Sequence, residues 1–355
     1  MALRIPAFVG LNLRLAGKLI AVSGCMALAS CTAASIEAPS TRAMSGMPSA
    51  PCGLSQTDQE WLNEALDAWD RTLATAAETG HPSNVQIIIF DEDCTLTSRT
   101  AMTGGEKVWT AEPHDGEVLL PDGNKLPGQI VSFAAPAPGG AFFVMAAPSI
   151  WQAAGVQSAE LGLEQLMTAV MIHEAAHVLQ FPTYGSRICR LVDLHNLPDD
   201  FSDDSIQERF EAEEEFASSI IRETELLLAA AAAADRTDAV QFAAEARSLA
   251  QARHDRLFTG ELAYLEEAED VWLTLEGSAQ WLGYRWLTDR RGGARSPEEA
   301  AKGFGLRGRW WSQRNGFALV AALERLTGAE WKRHAFDDGA KTAGEMLDQA
   351  LQERD

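Results

Sequence analysis

Apolar side chains first recur at helical spacing in the stretch that holds Trp61, Leu62, Leu66, Trp69 and Leu73, which fall on one helix face. Thr57 or Asp58 is placed to cap this helix, and Gly80 and Pro82 to end it. The period then changes. Residues 85–90 are apolar and mostly β-branched except at Gln86, which predicts a strand buried on both faces. Shorter strands are expected over 107–111, 128–134 and 140–145, separated by turn residues such as Pro121-Asp122-Gly123. From Gln157 onward the pattern is helical. Leu161, Leu166, Val170, Ile172, Val178 and Leu179 line one helix, and further long helices are expected over 203–234, 238–257 and 260–288. Two more close the chain, over 313–326 and 342–352. The alanine run 229–234 extends a helix rather than marking a linker, because alanine is the best helix former. There is no internal repeat. The pattern predicts an α+β fold, with a small N-terminal mixed sheet followed by a mostly helical part.

Ordered structure is expected to begin only near Cys52. Arg4, Arg14 and Lys18 precede an apolar run over 19–29, too short to span a bilayer and fitting the core of a signal peptide. The run ends in Leu28-Ala29-Ser30-Cys31, which resembles the lipobox of bacterial lipoproteins. That resemblance implies cleavage of residues 1–31 ahead of Cys31, acylation of Cys31 with palmitate among the acyl chains, and a lipid anchor in the cell envelope. Thr32 rather than Asp follows, which resembles lipoproteins of the outer membrane that face the periplasm. Val22-Ser23-Gly24-Cys25 fits the same pattern loosely but leaves a short apolar core, and an ordinary secretory signal is the alternative. Residues 32–51 are rich in Ser, Ala, Pro and Thr and read as a tether.

Composition narrows the function classes. The 355 residues carry a net charge of −22, which argues against nucleic-acid binding and reads as acidic helix faces in solvent. In an exported chain disulfides can form. Cys52 and Cys94 flank one compact N-terminal unit and are the expected pair, with Cys189 left over; three separate buried thiols are the alternative.

Within the helical region lies Met171-Ile172-His173-Glu174-Ala175-Ala176-His177-Val178-Leu179. Residues four apart share a helix face, so the imidazoles of His173 and His177 can reach one ion. Neutral imidazole is a good zinc ligand, and Glu174 can act as general base on a zinc-bound water. A buried helix with two satisfied histidines is the plain alternative. A metzincin would need a glycine and a third histidine where Gln180 and Thr183 stand, which excludes that class.

A second segment, Leu275-Glu276-Gly277-Ser278-Ala279-Gln280-Trp281, resembles the stretch around the third ligand of gluzincin-type zinc metallopeptidases, notably those like aminopeptidase N. The resemblance implies a zincin-like fold in which a second helix brings Glu276 to zinc beside His173 and His177. It also implies hydrolysis of a peptide or protein substrate held along a sheet-edge strand, for which 140–145 is the candidate. The organisation that follows is 52–202 for the sheet and metal-binding helix, 203–257 for a helical-hairpin insertion, and 258–355 for the helical part carrying Glu276. The insertion accounts for the long gap between His177 and Glu276. The sequence also departs from the pattern at Gln280, where thermolysin-like enzymes have an aspartate, so a carboxylate supporting the ligands is expected from elsewhere. No Gly-Ala-Met-Glu-Asn motif is present, so exopeptidase specificity does not carry over. Tyr284 and His334 are candidate stabilisers of the developing oxyanion.

Rival readings use other residues. His195, Glu208, Glu211 and Glu215 are alternative third ligands. Asp91-Glu92-Asp93-Cys94-Thr95 after the apolar strand resembles the first motif of haloacid-dehalogenase-type phosphatases, with Asp91 as nucleophile and Asp93 as acid/base. Cys94 replaces the usual glycine there, and alternating strands and helices are missing downstream. A zinc-binding lipoprotein without turnover, acting as an assembly or binding factor, is the remaining class.

Overall fold

Ser55 opens the first helix. Its hydroxyl oxygen accepts the backbone N–H of Asp58 at 3.1 Å, so the cap lies just ahead of Thr57 and Asp58. Helix α1 (Gln56–Ala76) buries Trp61, Leu62, Leu66, Trp69 and Leu73, the face its spacing predicts. Asp58 is buried instead of capping, and accepts the N–H of Ser149 at 3.0 Å, which ties α1 to the short helix α2 (Pro148–Ala153). The computed structural model describes residues 52–76, 85–100, 107–137, 140–198, 201–306, 309–339 and 341–353. The expected signal segment with Cys31, the tether over 32–51, and the helix-ending Gly80 and Pro82 lie outside the described residues.

Five strands form a mixed sheet in the order β3-β2-β1-β7-β6: β1 (Val85–Phe90), β2 (Cys94–Thr100), β3 (Lys107–Pro113), β6 (Ser132–Ala137) and β7 (Gly140–Ala146). A separate hairpin joins β4 (Glu117–Leu119) and β5 (Lys125–Pro127). Strands β1 and β7 run parallel, and the other pairs of the large sheet are antiparallel. The apolar β1 is buried on both faces as expected. Strand β7 is not the sheet edge that the sequence suggests. Its run Ala141-Phe142-Phe143-Val144-Met145-Ala146 is buried throughout and pairs with β1 on one side and β6 on the other. An unbroken apolar run marks an interior strand. The edge strand on this side is β6, which holds Pro136, a residue that the interior strands of a sheet exclude.

The acidic segment after β1 is a tight hairpin. Asp91 Oδ1 accepts the N–H groups of Asp93 at 3.0 Å and Cys94 at 2.9 Å, and the chain returns antiparallel as β2. Cys94 is joined to Cys52 by a disulfide, as expected, and Cys189 lies outside that bridge. In this segment the Asp91 carboxylate holds a turn.

Helix α3 (Leu163–Gln180) carries the histidine pair and packs against α1, β6 and β7. Trp61 Nε1 donates to Thr168 Oγ1 at 3.2 Å, locking α1 to it. A π-helical turn over Phe181–Gly185 leads into α4 (Ser186–His195). The single helix expected over 203–234 is two: α5 (Asp203–Phe210) and α6 (Glu214–Ala232). Helix α7 (Arg236–Leu257) packs along α6, the hairpin expected within 203–257. Helix α8 (Tyr264–Thr288) packs against both α3 and α10 (Trp311–Thr327), and α10 also receives α6. The short helices α9 (Pro297–Ala300) and α11 (Trp331–Arg333) and the last helix α12 (Ala343–Gln352) complete the chain. No helix among the described residues is long and apolar enough to cross a membrane.

Candidate metal centre

The crossing of α3 and α8 decides where their polar side chains meet. Gly283 on α8 makes the approach possible, since a Cβ there would lie 3.0 Å from the carbonyl oxygen of Ala169 on α3. Glu276 lies about two turns back along the same helix, within reach of His173 and His177. The three residues form the one group of potential metal ligands among the described residues, with one atom from each lying within 4.8 Å of the others.

The separations test what fits between them. His173 Nε2 and His177 Nε2 are 3.0 Å apart, and Glu276 Oε2 and Oε1 lie 3.4 and 3.3 Å from them, whereas a tetrahedral zinc with bonds of 2.0–2.1 Å holds its ligand atoms roughly 3.3–3.4 Å apart. The hydrogen bonds behind the rings sharpen the case. His173 Nδ1 donates to Gln280 Oε1 at 3.0 Å and His177 Nδ1 to Gln180 Oε1 at 3.1 Å. Amide oxygens only accept, so both Nδ1 atoms carry hydrogen. In neutral rings both Nε2 atoms then offer lone pairs to one point, beside a carboxylate. Three acceptors converging in a buried place require a proton or a cation.

The electrostatics agree. Burial opposes the charged form of His177, but the Glu276 carboxylate outweighs it and the pKa rises to about 9. Burial likewise opposes ionised Glu276, yet the two histidines hold its carboxyl well below the usual carboxylate range. In the metal-free protein a proton therefore stands where a cation would.

A scan against protein-family models finds no match, and searches of curated proteins and of solved structures find none that is significant. The residues themselves carry the functional argument.

Glu174 sits between the two histidines in sequence and outside the trio of candidate ligands. Its Oε1 accepts a hydrogen bond from Ser132 Oγ at 3.3 Å, which brings the outer strand β6 alongside it. Burial pushes its carboxyl above the ordinary value, against the pull of His173 and His177. Of the rival third ligands, Glu208 is exposed and outside the cluster, and the other three are engaged elsewhere. His195 stacks on Tyr264 with ring centroids 4.6 Å apart, Glu211 pairs with Arg309 at 3.0 Å, and Glu215 pairs with Arg256 at 2.9 Å.

The two candidate oxyanion stabilisers are placed differently. Tyr284 lies eight residues beyond Glu276, about 12 Å along the helix axis. Its ring is half-buried and packs on Phe317 at 5.2 Å, so it serves the core. His334 pairs through Nδ1 with Asp338 Oδ1 at 2.9 Å, and its backbone carbonyl accepts the hydroxyl of buried Tyr184 at 2.9 Å. The next carbonyl, of Ala335, accepts the Gln180 amide at 3.4 Å, so this segment borders the cluster.

Four further residues belong to the surroundings of the site. Gln280 holds His173 directly, which corrects the expectation that a carboxylate from elsewhere must do so. Its position four residues after Glu276 is the signal, once an amide is accepted in that role. Gln180, three residues after His177, does the same for the second ring. Asp203 and Asp204 open α5, and the charge of Asp203 reaches Glu276 and His177. Asp203 Oδ2 accepts from Ser312 Oγ at 2.7 Å. Burial, then Glu276, pushes Asp203 up to about 7, and burial, then Asp203, pushes Asp204 up to about 9. Their sequence signal is weak, because adjacent acidic residues usually mark a solvated helix start.

Proposed function

We propose that this protein is a zinc-dependent metallopeptidase with a zincin-like arrangement, in which His173, His177 and Glu276 hold the metal and Glu174 is the general base. The observation that carries this reading is the convergence of two histidines four apart on α3 with Glu276 of α8, while the intervening Glu174 stays outside the ligand trio. Imidazole and carboxylate together suit zinc, and three protein ligands leave a fourth position open. Bound zinc would supply Lewis acidity, polarising a carbonyl and lowering the pKa of a bound water towards about 7.

The chain's own residues would do the rest. Glu174 takes the proton of the attacking water and passes it to the leaving amine. Its raised pKa suits a group that must both accept and return a proton. Ser132 orients that carboxylate and marks β6 as the strand beside the reaction. An extended substrate would add to the outer edge of β6 by backbone pairing, replacing the expectation for 140–145. His334 is the better-placed candidate for the oxyanion, since Asp338 orients its ring and the next residue touches Gln180. The lipobox-like segment ending at Cys31 would anchor the enzyme in the envelope, and Cys31→Ser should release it from membranes.

The deciding experiment uses the purified mature protein with its metal counted and a broad peptide library. About one zinc per chain and cleavage of some peptide are expected. Glu174→Gln should keep the zinc and lose at least about a hundredfold in turnover. Full zinc occupancy with no hydrolysis of any peptide would favour the non-catalytic binding protein instead.

A further inference from the structure

The ligand trio is braced by two glutamines that form a reciprocal tie between its helices. Gln180 belongs to α3 and reaches α8, where its Nε2 donates to Ser278 Oγ at 2.6 Å. Ser278 sends its own hydrogen to the carbonyl of Thr274 at 2.6 Å, so its oxygen is left to accept. The same amide nitrogen faces the carbonyl of Ala335 at 3.4 Å. These acceptors fix the amide so that Oε1 points at His177 Nδ1. Gln280 belongs to α8 and reaches back to α3, with Oε1 on His173 Nδ1 and Nε2 towards the carbonyl of Phe304 at 3.5 Å. Both glutamines are more than nine-tenths buried.

We propose that Gln180 and Gln280 are paired positioning residues of the metal centre, which fix both imidazoles for coordination through Nε2 and keep the centre more positive than carboxylates would. This rests on the metal-binding half of the proposed function and not on hydrolysis. Groups behind a ligating histidine set its tautomer, its orientation and its basicity. A carboxylate behind the ring adds negative charge in a place with little solvent, and so tightens the grip on a divalent cation. An amide supplies the same direction without the charge. With two amides, Glu276 is the single anionic group in the ligand shell. Such a centre holds its cation less tightly and acts as a stronger Lewis acid.

Gln280 gives the cleaner test, because its amide nitrogen has one long contact, whereas at position 180 a carboxylate would face the Ala335 carbonyl. Zinc affinity is measured by competition with a chromophoric chelator, alongside thermal melting of the metal-free protein. Gln280→Met keeps the volume and removes the acceptor, and should weaken zinc binding by about 10–100-fold. Gln280→Glu restores the acceptor and adds charge, and should bind zinc at least as tightly as the native protein. A role in packing alone would make both variants lose affinity in step with their melting temperatures. Gln280→Glu binding zinc as poorly as Gln280→Met, or Gln280→Met binding it as well as the native protein, overturns the proposal. If Gln280→Met does not fold, the native protein loaded with cadmium supplies the answer by nitrogen NMR of its imidazoles. Nδ1–H with metal on Nε2 is expected for both rings, and metal on Nδ1 of either ring overturns it. Native protein that takes up no zinc removes the metal-centre reading together with this one, whereas uptake without hydrolysis leaves this proposal standing.

Discussion

Gly277 on α8 lies against Gly316 on α10 so closely that a Cβ at Gly277 would come within 2.2 Å of the Gly316 carbonyl oxygen. Gly277 directly follows Glu276, so the helix crossing that sets the ligand's position leaves no room for a side chain. The obstacle is backbone, which cannot swing aside. Gly277→Ala should therefore destabilise the protein by about 1–3 kcal/mol or more through overpacking. It should also weaken zinc binding, because α8 must shift where Glu276 leaves it. Chemical denaturation with a metal-binding titration on the same samples checks both. Native zinc affinity in a destabilised Gly277→Ala protein would separate the crossing from the site.

Zinc binding should compete with a proton. His177 has its pKa raised to about 9, with burial opposing the charge and Glu276 overriding that, so below this pH the metal-free cluster is protonated. Zinc must displace that proton, so apparent affinity should rise about tenfold per pH unit below about pH 7, and more steeply above it where a zinc-bound water also ionises. Calorimetry in buffers of different ionisation enthalpy should find about one proton released per zinc near pH 6. The same raised pKa stabilises the metal-free fold below the ordinary histidine range, a contribution lost as pH rises through about 9. Affinity independent of pH between 6.5 and 8.5 would contradict this account.

Much of this site is legible in the sequence because it rests on helical period. His173, Glu174 and His177 declare their geometry through spacing alone, and α3 runs where the apolar pattern places it. Glu276 is a harder case, since its partners are about a hundred residues away and only a local likeness marks it. The sheet is less legible. Strand β2 alternates Cys94, Leu96 and Ser98 inward among polar residues, too faint a period beside the acidic turn. The order of strands is a matter of pairing across the chain, which apolar runs do not encode, so the pattern alone suggests β7 for the edge that β6 occupies. The break between α5 and α6 falls in an acidic stretch whose helical propensity gives no warning. Gln180 could be weighed only once the ring it holds was in place, and Gln280 only once an amide is admitted where thermolysin-like enzymes have an aspartate.

Arg253 of α7 ties the hairpin of α6 and α7 to α8, the helix that carries Glu276. It is 1% exposed, and its guanidinium donates to Glu223 of α6 at 3.0 Å and to Glu269 of α8 at 2.6 and 2.7 Å. Burial works against ionised Glu269, but Arg253 overcomes it and the carboxyl falls to about 2. Removing the cation would leave two buried carboxylates with weaker support, Glu223 from Ser219 and Glu269 from His254. Arg253→Met should cost about 3–5 kcal/mol in equilibrium unfolding, and adding Glu223→Gln and Glu269→Gln should recover a large part. A triple variant no more stable than Arg253→Met would mean that packing on Phe216 and Phe258, rather than charge, dominates.

Asp203 and Asp204 should make the metal-free protein less stable as pH rises. Their carboxyls are pushed up to about 7 and about 9, by burial first and then by Glu276 and by each other. In the unfolded chain both ionise near the ordinary value of about 4. Between these limits the folded state binds more protons than the unfolded one, so stability falls with pH across roughly 4 to 9. His177 acts in the same direction only above the ordinary histidine range. The raised carboxyls of Glu174 and Asp270 are common to the native protein and Asp203→Asn, so comparing the two from about pH 4.5 to 6 singles out Asp203. Asp203→Asn removes one of the charges and keeps an acceptor for Ser312. Its melting temperature should match the native protein near pH 4.5 and exceed it increasingly towards pH 7. A bound divalent cation offsets the same excess of negative charge, so the advantage of Asp203→Asn should shrink in the zinc-loaded protein. Parallel stability curves for the two proteins over this range, with and without zinc, would show that Asp203 is not held against its own ionisation.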